Sequence, residues 1–159
     1  MYSSQFLDLA ISTAAECLED PRLTPFGAVV VRNGEVLSVG VSSVIRDNNP
    51  VAHAEVNAIQ SACRVLDSYL LTDCDLYCSG FPCPLCLSAA RWAEVKQVYY
   101  AASLEDSAEF GFLDQKFYYD LARQDWSAGS EFPVLAGSST QRAQGREVIS
   151  RWKNMRNSS

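Results

Sequence analysis

Histidine and positive charge are both scarce in this chain of 159 residues, which has one histidine and 13 lysine and arginine residues against 19 acidic residues. The formal net charge of −6 gives no electrostatic match to a phosphate backbone. We therefore do not expect nucleic acid as a partner.

Segments that would direct the chain to a membrane are also lacking. Residues 1–6 have neither the basic region nor the apolar run of a signal peptide. No apolar run approaches the roughly 18 residues that span a bilayer. The six cysteines are too sparse, and lie too far inside apolar runs, to form the disulfide framework of a small secreted domain. We expect a soluble, cytoplasmic protein with no membrane partner.

The length and the hydrophobic content of 48% suit a single domain over residues 1–159 with one core. Apolar periodicity, caps and turn residues predict its elements. Helices are expected at 4–19, 52–66, from the Pro-Cys-Pro segment to 92, 105–109, 115–123 and about 141–156, and strands at 26–31, 36–44, 75–78 and 97–102, with one more possible at 132–136.

The predicted fold class follows from the order of the elements, in which one hairpin is followed by strands that alternate with helices. Asn33-Gly34 lies between two β-rich runs and favours a type I′ turn. The order of the remaining elements favours an α/β fold, a three-layer α/β/α sandwich with a central mixed sheet. The helices of such a sheet begin where strands end, so two helix starts are expected to meet at one edge.

Two short segments at those helix starts carry chemistry. Residues 52–55 read Ala-His-Ala-Glu, and residues 82–86 read Pro-Cys-Pro-Leu-Cys. His53, Cys83 and Cys86 supply three ligands for zinc and leave the fourth position to water, which is the pattern of a catalytic zinc site. His53 and Glu55 are roughly 200° apart on a helix and so flank a site beyond its start, while Cys83 and Cys86, at i and i+3, reach a metal from one side.

Each signal alone has another interpretation. A lone histidine on an apolar helix is usually a core residue, and a lone Cys-x-x-Cys is also found in redox pairs and in half of a zinc ribbon. Together, His-Ala-Glu and Pro-Cys-x-x-Cys match the pattern of zinc deaminases, in which the glutamate is the acid/base and not a ligand. Glu55 is therefore the predicted catalytic residue, and a non-enzymatic zinc module is the alternative.

Most of the chain resembles the cytidine deaminase-like zinc aminohydrolases. Within them, segments 25–29, 49–59, 98–102 and 109–114 are most similar to the bacterial guanine deaminases. The resemblance implies one Zn²⁺ per subunit, a small heterocyclic amine as substrate, and hydrolysis of guanine to xanthine and ammonia. It also implies a homodimer in which the C-terminal helix, about 141–156, is exchanged between subunits.

The resemblance also implies substrate contacts. Phe26 would stack on the base, Asp114 would face its exocyclic amine, and Trp92 would lie near the pocket wall. The full set of predicted contacts is Phe26, Ser42, Ala54, Phe81, Trp92 and Asp114.

Three departures from the family pattern concern specificity. Ser42 stands where the family has a guanine-binding asparagine, Gly80-Phe81 replaces Cys-Glu before Pro-Cys, and segment 153–159 contains no tyrosine of the kind that helps to close the pocket. A pterin, an aminotriazine, a pyrimidine or guanosine is therefore an alternative substrate. A tRNA adenosine deaminase shares the metal motif, but the acidic balance of the chain counts against it.

Overall fold

The computed structural model describes residues 2–157. Its helices are α1 (Ser4–Ala14), α2 (Ala54–Leu66), α3 (Pro84–Trp92), α4 (Leu104–Glu109), α5 (Asp114–Arg123) and α6 (Ser139–Asn157). Its strands are β1 (Thr24–Arg32), β2 (Glu35–Ser42), β3 (Cys74–Gly80) and β4 (Gln97–Ala102). A short 3₁₀ helix, Ala15–Leu18, follows α1.

The four strands form one mixed sheet in the order β2-β1-β3-β4. β1 pairs antiparallel with β2 and with β3, whereas β3 and β4 are parallel. The β1–β2 connection has positive φ at both Asn33 (53°) and Gly34 (81°), as a type I′ turn requires. The predicted hairpin and mixed sheet are confirmed.

Alternation along β1 divides the core into two layers. Ala28 and Val30 pack with residues of α2 and α3, such as Ala58, while Val29 and Val31 pack against α1. Successive side chains of a strand point to opposite faces, so helices cover both faces of the sheet. The predicted three-layer α/β/α sandwich is confirmed.

The C-terminal region differs from the prediction. The chain divides into two compact units, the first ending at Tyr119 and the second beginning at Asp120. The strand predicted at 132–136 is wrong, because that stretch has no regular structure. No strand of the described part of the second unit is available to pair with it, and Pro133 offers no backbone donor. The single domain over 1–159 stays a prediction.

Among the helices that the structure describes, none is both long enough and apolar enough to cross a bilayer.

Candidate active site

Two helix starts bring three potential metal ligands together. His53 is the N-cap of α2, with an extended backbone (φ −70°, ψ 155°) and no capping hydrogen bond from its side chain. Cys83 is the N-cap of α3, whose first residue, Pro84, has the fixed φ that favours helix initiation. Cys86 lies in the first turn of the same helix. The predicted helix-start context of both motifs is confirmed.

The spacing of the three ligand atoms suits zinc. His53 Nδ1 lies 3.4 Å from the Sγ atoms of both Cys83 and Cys86, and the two sulfurs are 3.6 Å apart. Tetrahedral zinc, with bonds of about 2.3 Å to sulfur and about 2.0 Å to nitrogen, separates two sulfurs by about 3.8 Å and a sulfur from a nitrogen by about 3.5 Å. The three residues form a possible metal site of fitting size and ligand type.

The pKa values of the two cysteine thiols also suit metal ligation. Hydrogen bonding between them lowers the pKa of Cys83 to about 4 and raises that of Cys86. The hydrogen bond with Cys83 raises the pKa of His53 above its usual value. The pair therefore holds one thiolate already, and a bound cation would displace the remaining proton.

Glu55 is the buried acid of the site. Its side chain is 6% exposed, and its Oε2 atom lies 3.2 Å from Cys86 Sγ. Burial raises the pKa of this carboxyl group to about 7. A carboxyl group with a pKa near neutrality can both accept and deliver protons at physiological pH.

One cavity of about 180 Å³ opens onto His53, Glu55 and Cys83. It contains five of the six predicted substrate contacts: Phe26, Ser42, Ala54, Phe81 and Asp114. Asp114 is half-buried at the start of α5, and burial raises its pKa. The structure therefore collects these side chains around one space, as the prediction requires, and their individual roles stay predictions.

Trp92 is the predicted contact that does not reach this cavity. It is the last residue of α3 and is 85% exposed. It lines a separate cleft of about 610 Å³ with Leu87, Ser88, Arg91 and Glu94. Because α3 rises by about 1.5 Å per residue, Trp92 lies roughly 13 Å along the helix from Cys83 and roughly 9 Å from Cys86. The structure does not place Trp92 at the wall of the cavity.

Three lining residues were not among the predicted contacts: Thr24, Val44 and Phe112. Phe112 packs edge-on against Phe26, with ring centroids 4.8 Å apart, and so fixes the ring predicted to stack on the base. Its position two residues before Asp114 was the available signal. Thr24 and Val44 carry no such signal: Thr24 is brought to the cavity by its pairing with Ser42, and Val44 lies in the turn after β2.

Asn57 is a supporting residue that the sequence also did not reveal. Its Nδ2 atom donates to Val41 O (2.9 Å), Ser43 Oγ (3.0 Å) and Ala52 O (3.3 Å). These bonds tie the segment after β2 to the start of α2. Asn57 thereby holds the backbone that carries His53.

Residues 2–102 match the family described as the cytidine and deoxycytidylate deaminase zinc-binding region. The match covers more than half of the chain, and this chain belongs to that family. It is a zinc-dependent deaminase, a hydrolase acting on C–N bonds in cyclic amidines.

Individual relatives narrow the comparison. The chain is 46% identical over 121 residues to guanine deaminase of Bacillus subtilis, covering 76% of this chain and 78% of the relative. The X-ray structure of guanine deaminase from Bacillus subtilis superposes with a TM-score of 0.87 at 38% identity, over 97% of this chain and 95% of the other. The chain is also 35% identical to a tRNA-specific adenosine deaminase of Aquifex aeolicus, over 64% of this chain and 67% of the relative.

Proposed function

We propose that this enzyme hydrolyses guanine to xanthine and ammonia, with one zinc ion per subunit. The observation that carries the proposal is the buried Glu55 carboxyl group, with a pKa of about 7, beside three zinc-type ligands on the same cavity. The relatives named guanine deaminase support the substrate. A volume of about 180 Å³ is below the roughly 300–1,000 Å³ of drug-sized pockets and suits a free base.

His53, Cys83 and Cys86 would hold the zinc, which supplies a water of lowered pKa, near 7, as the nucleophile. Glu55 takes a proton from the attacking water and delivers it to the ring nitrogen beside the amine-bearing carbon. Once the C–O bond has formed, Glu55 takes the second proton from the new hydroxyl group and transfers it to the amine, so that the C–N bond breaks, ammonia leaves and the carbonyl group of xanthine remains. The proximity of Glu55 to Cys86 places it beside the metal ligands, where both transfers take place.

The remaining cavity residues would bind the base. Phe26, held by Phe112, offers a ring for stacking, and Asp114 faces the exocyclic amine. Phe81 packs edge-on against Tyr100, with centroids 4.9 Å apart, and forms an apolar part of the wall. Ala54 begins α2, so its backbone N–H has no partner within the helix and can donate to the substrate.

Another heterocycle is the second candidate substrate class. The observation that favours it is the hydrogen bond between Thr24 Oγ1 and Ser42 Oγ on the cavity wall, because two hydroxyls present donors and acceptors differently from a side-chain amide. Pterins, aminotriazines, pyrimidines and guanosine fall in this class. The tRNA-specific relative suggests RNA, which the net charge of −6 opposes.

Ammonia release by the zinc-loaded enzyme tests the proposal. The panel is guanine, guanosine, adenine, cytosine, isocytosine, a pterin and an aminotriazine, and we expect guanine to give the highest kcat/KM. If another compound released ammonia and guanine did not, that compound would be the substrate and the proposal of guanine would be wrong. Zinc binding without release from any compound would favour a zinc module.

We also propose that the enzyme is a cytoplasmic homodimer that exchanges its C-terminal helix, about 141–156, and acts in purine metabolism. In the second unit, large apolar side chains are more than half exposed, among them Phe132, Leu135, Val148, Ile149 and Trp152. Such exposed apolar groups favour a further partner surface. All six cysteines are free thiols, which suits a reducing compartment. Light scattering in solution, which gives the mass, tests the dimer.

A further inference from the structure

Two hydroxyl groups meet on the wall of the active-site cavity. Thr24 Oγ1 donates to Ser42 Oγ across a distance of 2.5 Å. The two residues are paired across the β1–β2 ladder, at the point where the register shifts between Thr24 and Gly27. Ser42 is only 3% exposed, and both residues line the cavity.

The hydrogen bond leaves this hydroxyl pair with unused capacity. A hydroxyl group has one donor and two acceptor positions. Ser42 uses one acceptor position for Thr24 and keeps its own proton, while Thr24 keeps its acceptor positions. The pair therefore presents a donor directly beside an acceptor.

The surroundings make the substrate the natural partner of this pair. The side chains of Phe26, Val44 and Phe112, which line the same cavity, are apolar. The polar side chains of the lining, His53, Glu55 and Asp114, make no hydrogen bond with the pair in the described part of the chain. A buried polar group that loses water and finds no partner weakens the binding of whatever displaced the water. A substrate that fills the cavity must therefore satisfy the hydroxyls.

We propose that the Thr24–Ser42 hydroxyl pair is a specificity determinant that binds an edge of the substrate on which an N–H group adjoins a hydrogen-bond acceptor. The inference rests on the proposed function, since it assumes that a heterocyclic base occupies the cavity. Apart from the exocyclic amine that the reaction removes, guanine has two such edges, one formed by N1–H and O6 and the other by N9–H and N3. Methylation of N1 or of N9 removes one edge at a time.

Hypoxanthine provides a probe that has both edges but no amine to lose. We would measure its dissociation constant, and those of 1-methylhypoxanthine and 9-methylhypoxanthine, by calorimetry on the zinc-loaded enzyme. Wild-type enzyme, Thr24→Val and Ser42→Ala are compared. Valine keeps the shape of threonine and a high β propensity, so Thr24→Val removes little besides the hydroxyl.

We expect each variant to bind hypoxanthine about tenfold more weakly than the wild type, which corresponds to one lost hydrogen bond. In the wild type, one methylated probe should bind at least about tenfold more weakly than hypoxanthine. In both variants, this methylated probe should bind as well as hypoxanthine. The position of its methyl group identifies the edge of the base that contacts the hydroxyl pair. Thr24→Ser keeps the hydroxyl and should restore the wild-type pattern.

Thr13→Val is the matched control, because the Thr13 hydroxyl bonds Leu9 O within α1 (2.8 Å), away from the cavity. It should leave all three dissociation constants unchanged. The proposal is overturned if methylation of the probe weakens its binding by the same factor in the variants as in the wild type. It is also overturned if the wild type does not bind hypoxanthine. Ammonia release from guanine is measured separately, so an inactive enzyme that still discriminates through the pair rejects the proposed function alone.

Discussion

The phenol of Tyr118 donates a 2.6 Å hydrogen bond to the carbonyl oxygen of Pro82, the residue that precedes the first cysteine of the metal site. Tyr118 lies on α5 one helical turn after Asp114, so both side chains share one face of the helix. Burial raises the pKa of Tyr118 to about 12, which keeps the phenol a neutral donor. This bond fixes the position of Asp114 relative to the cysteine loop.

Replacing Tyr118 by phenylalanine tests that positioning role. The ring contact with Phe81, at 6.0 Å between centroids, would remain, but the buried carbonyl of Pro82 would lose its donor. We expect about 1–3 kcal/mol of lost stability, unchanged zinc content, and a roughly tenfold lower kcat/KM for the best substrate. Tyr119→Phe, at an exposed neighbouring position, is the control. Equal kinetics for the two variants would remove Tyr118 from the positioning of the site.

Glu55→Gln tests the proton transfer. Glutamine has the shape of glutamate but cannot take up and release a proton at neutral pH, so we expect turnover to fall by about 10²–10⁴-fold. Zinc content, measured by elemental analysis, should stay at one per chain, because Glu55 is not a ligand. Glu35→Gln, at an exposed acid at the start of β2, should behave as the wild type. Turnover retained in Glu55→Gln would contradict the assigned mechanism.

The parts of the structure that could be predicted are those encoded by local pattern. A type I′ turn requires positive φ at two successive residues, and Asn33-Gly34 is a dipeptide that adopts it readily. Alternation along β1 likewise indicates which of its side chains face each layer of helices. The metal ligands could be predicted because Pro84 and the N-cap positions fix two helix starts within a few residues. No long-range information was needed for either.

The parts that could not be predicted depend on contacts between distant segments. Thr24 enters the cavity because a register shift lies between it and Gly27, and nothing in the local sequence specifies that shift. Trp92 lies in a helix of the expected length, yet that length carries it away from the cavity. The bond from Tyr118 to Pro82 joins residues 36 positions apart.

Zinc affinity should depend on pH in a defined direction. Because the two cysteines share a proton that the metal must displace, the affinity should fall as the pH falls, by about tenfold per pH unit for one displaced proton. The dependence should steepen once the pH drops below the raised pKa of His53, where a second proton is displaced. Competition with a chromophoric chelator between about pH 8 and pH 6 measures this.

Variants separate the ligand thiols from the others. Cys83→Ser should bind zinc far more weakly at every pH, whereas Cys17→Ser, outside the metal site, should retain the wild-type affinity and slope. A pH-independent affinity in the wild type would mean that the pair is already fully deprotonated.

Substitutions at two glycines can separate an effect on the stability of the fold from an effect on the geometry of the metal site. A Cβ atom on Gly40 of β2 would overlap the carbonyl oxygen of Ala54 and lie 2.6 Å from the backbone nitrogen of Ala58, so α2 would have to move. A Cβ atom on Gly27 of β1 would overlap the carbonyl oxygen of Ala10 and displace α1 in the same way. Of these two helices, only α2 carries residues of the metal site, with His53 as its N-cap and Glu55 in its first turn.

Gly40→Ala and Gly27→Ala should each destabilise the fold by about 1–3 kcal/mol or more, as overpacking does, which urea unfolding of the zinc-loaded enzyme measures. Gly40→Ala should in addition weaken zinc binding and lower kcat, since the start of α2 positions His53 and Glu55. Gly27→Ala should leave zinc affinity unchanged, because α1 lies on the opposite face of the sheet. If both variants weakened zinc binding equally, the loss would follow from global destabilisation, and the close approach at Gly40 would have no specific effect on the site.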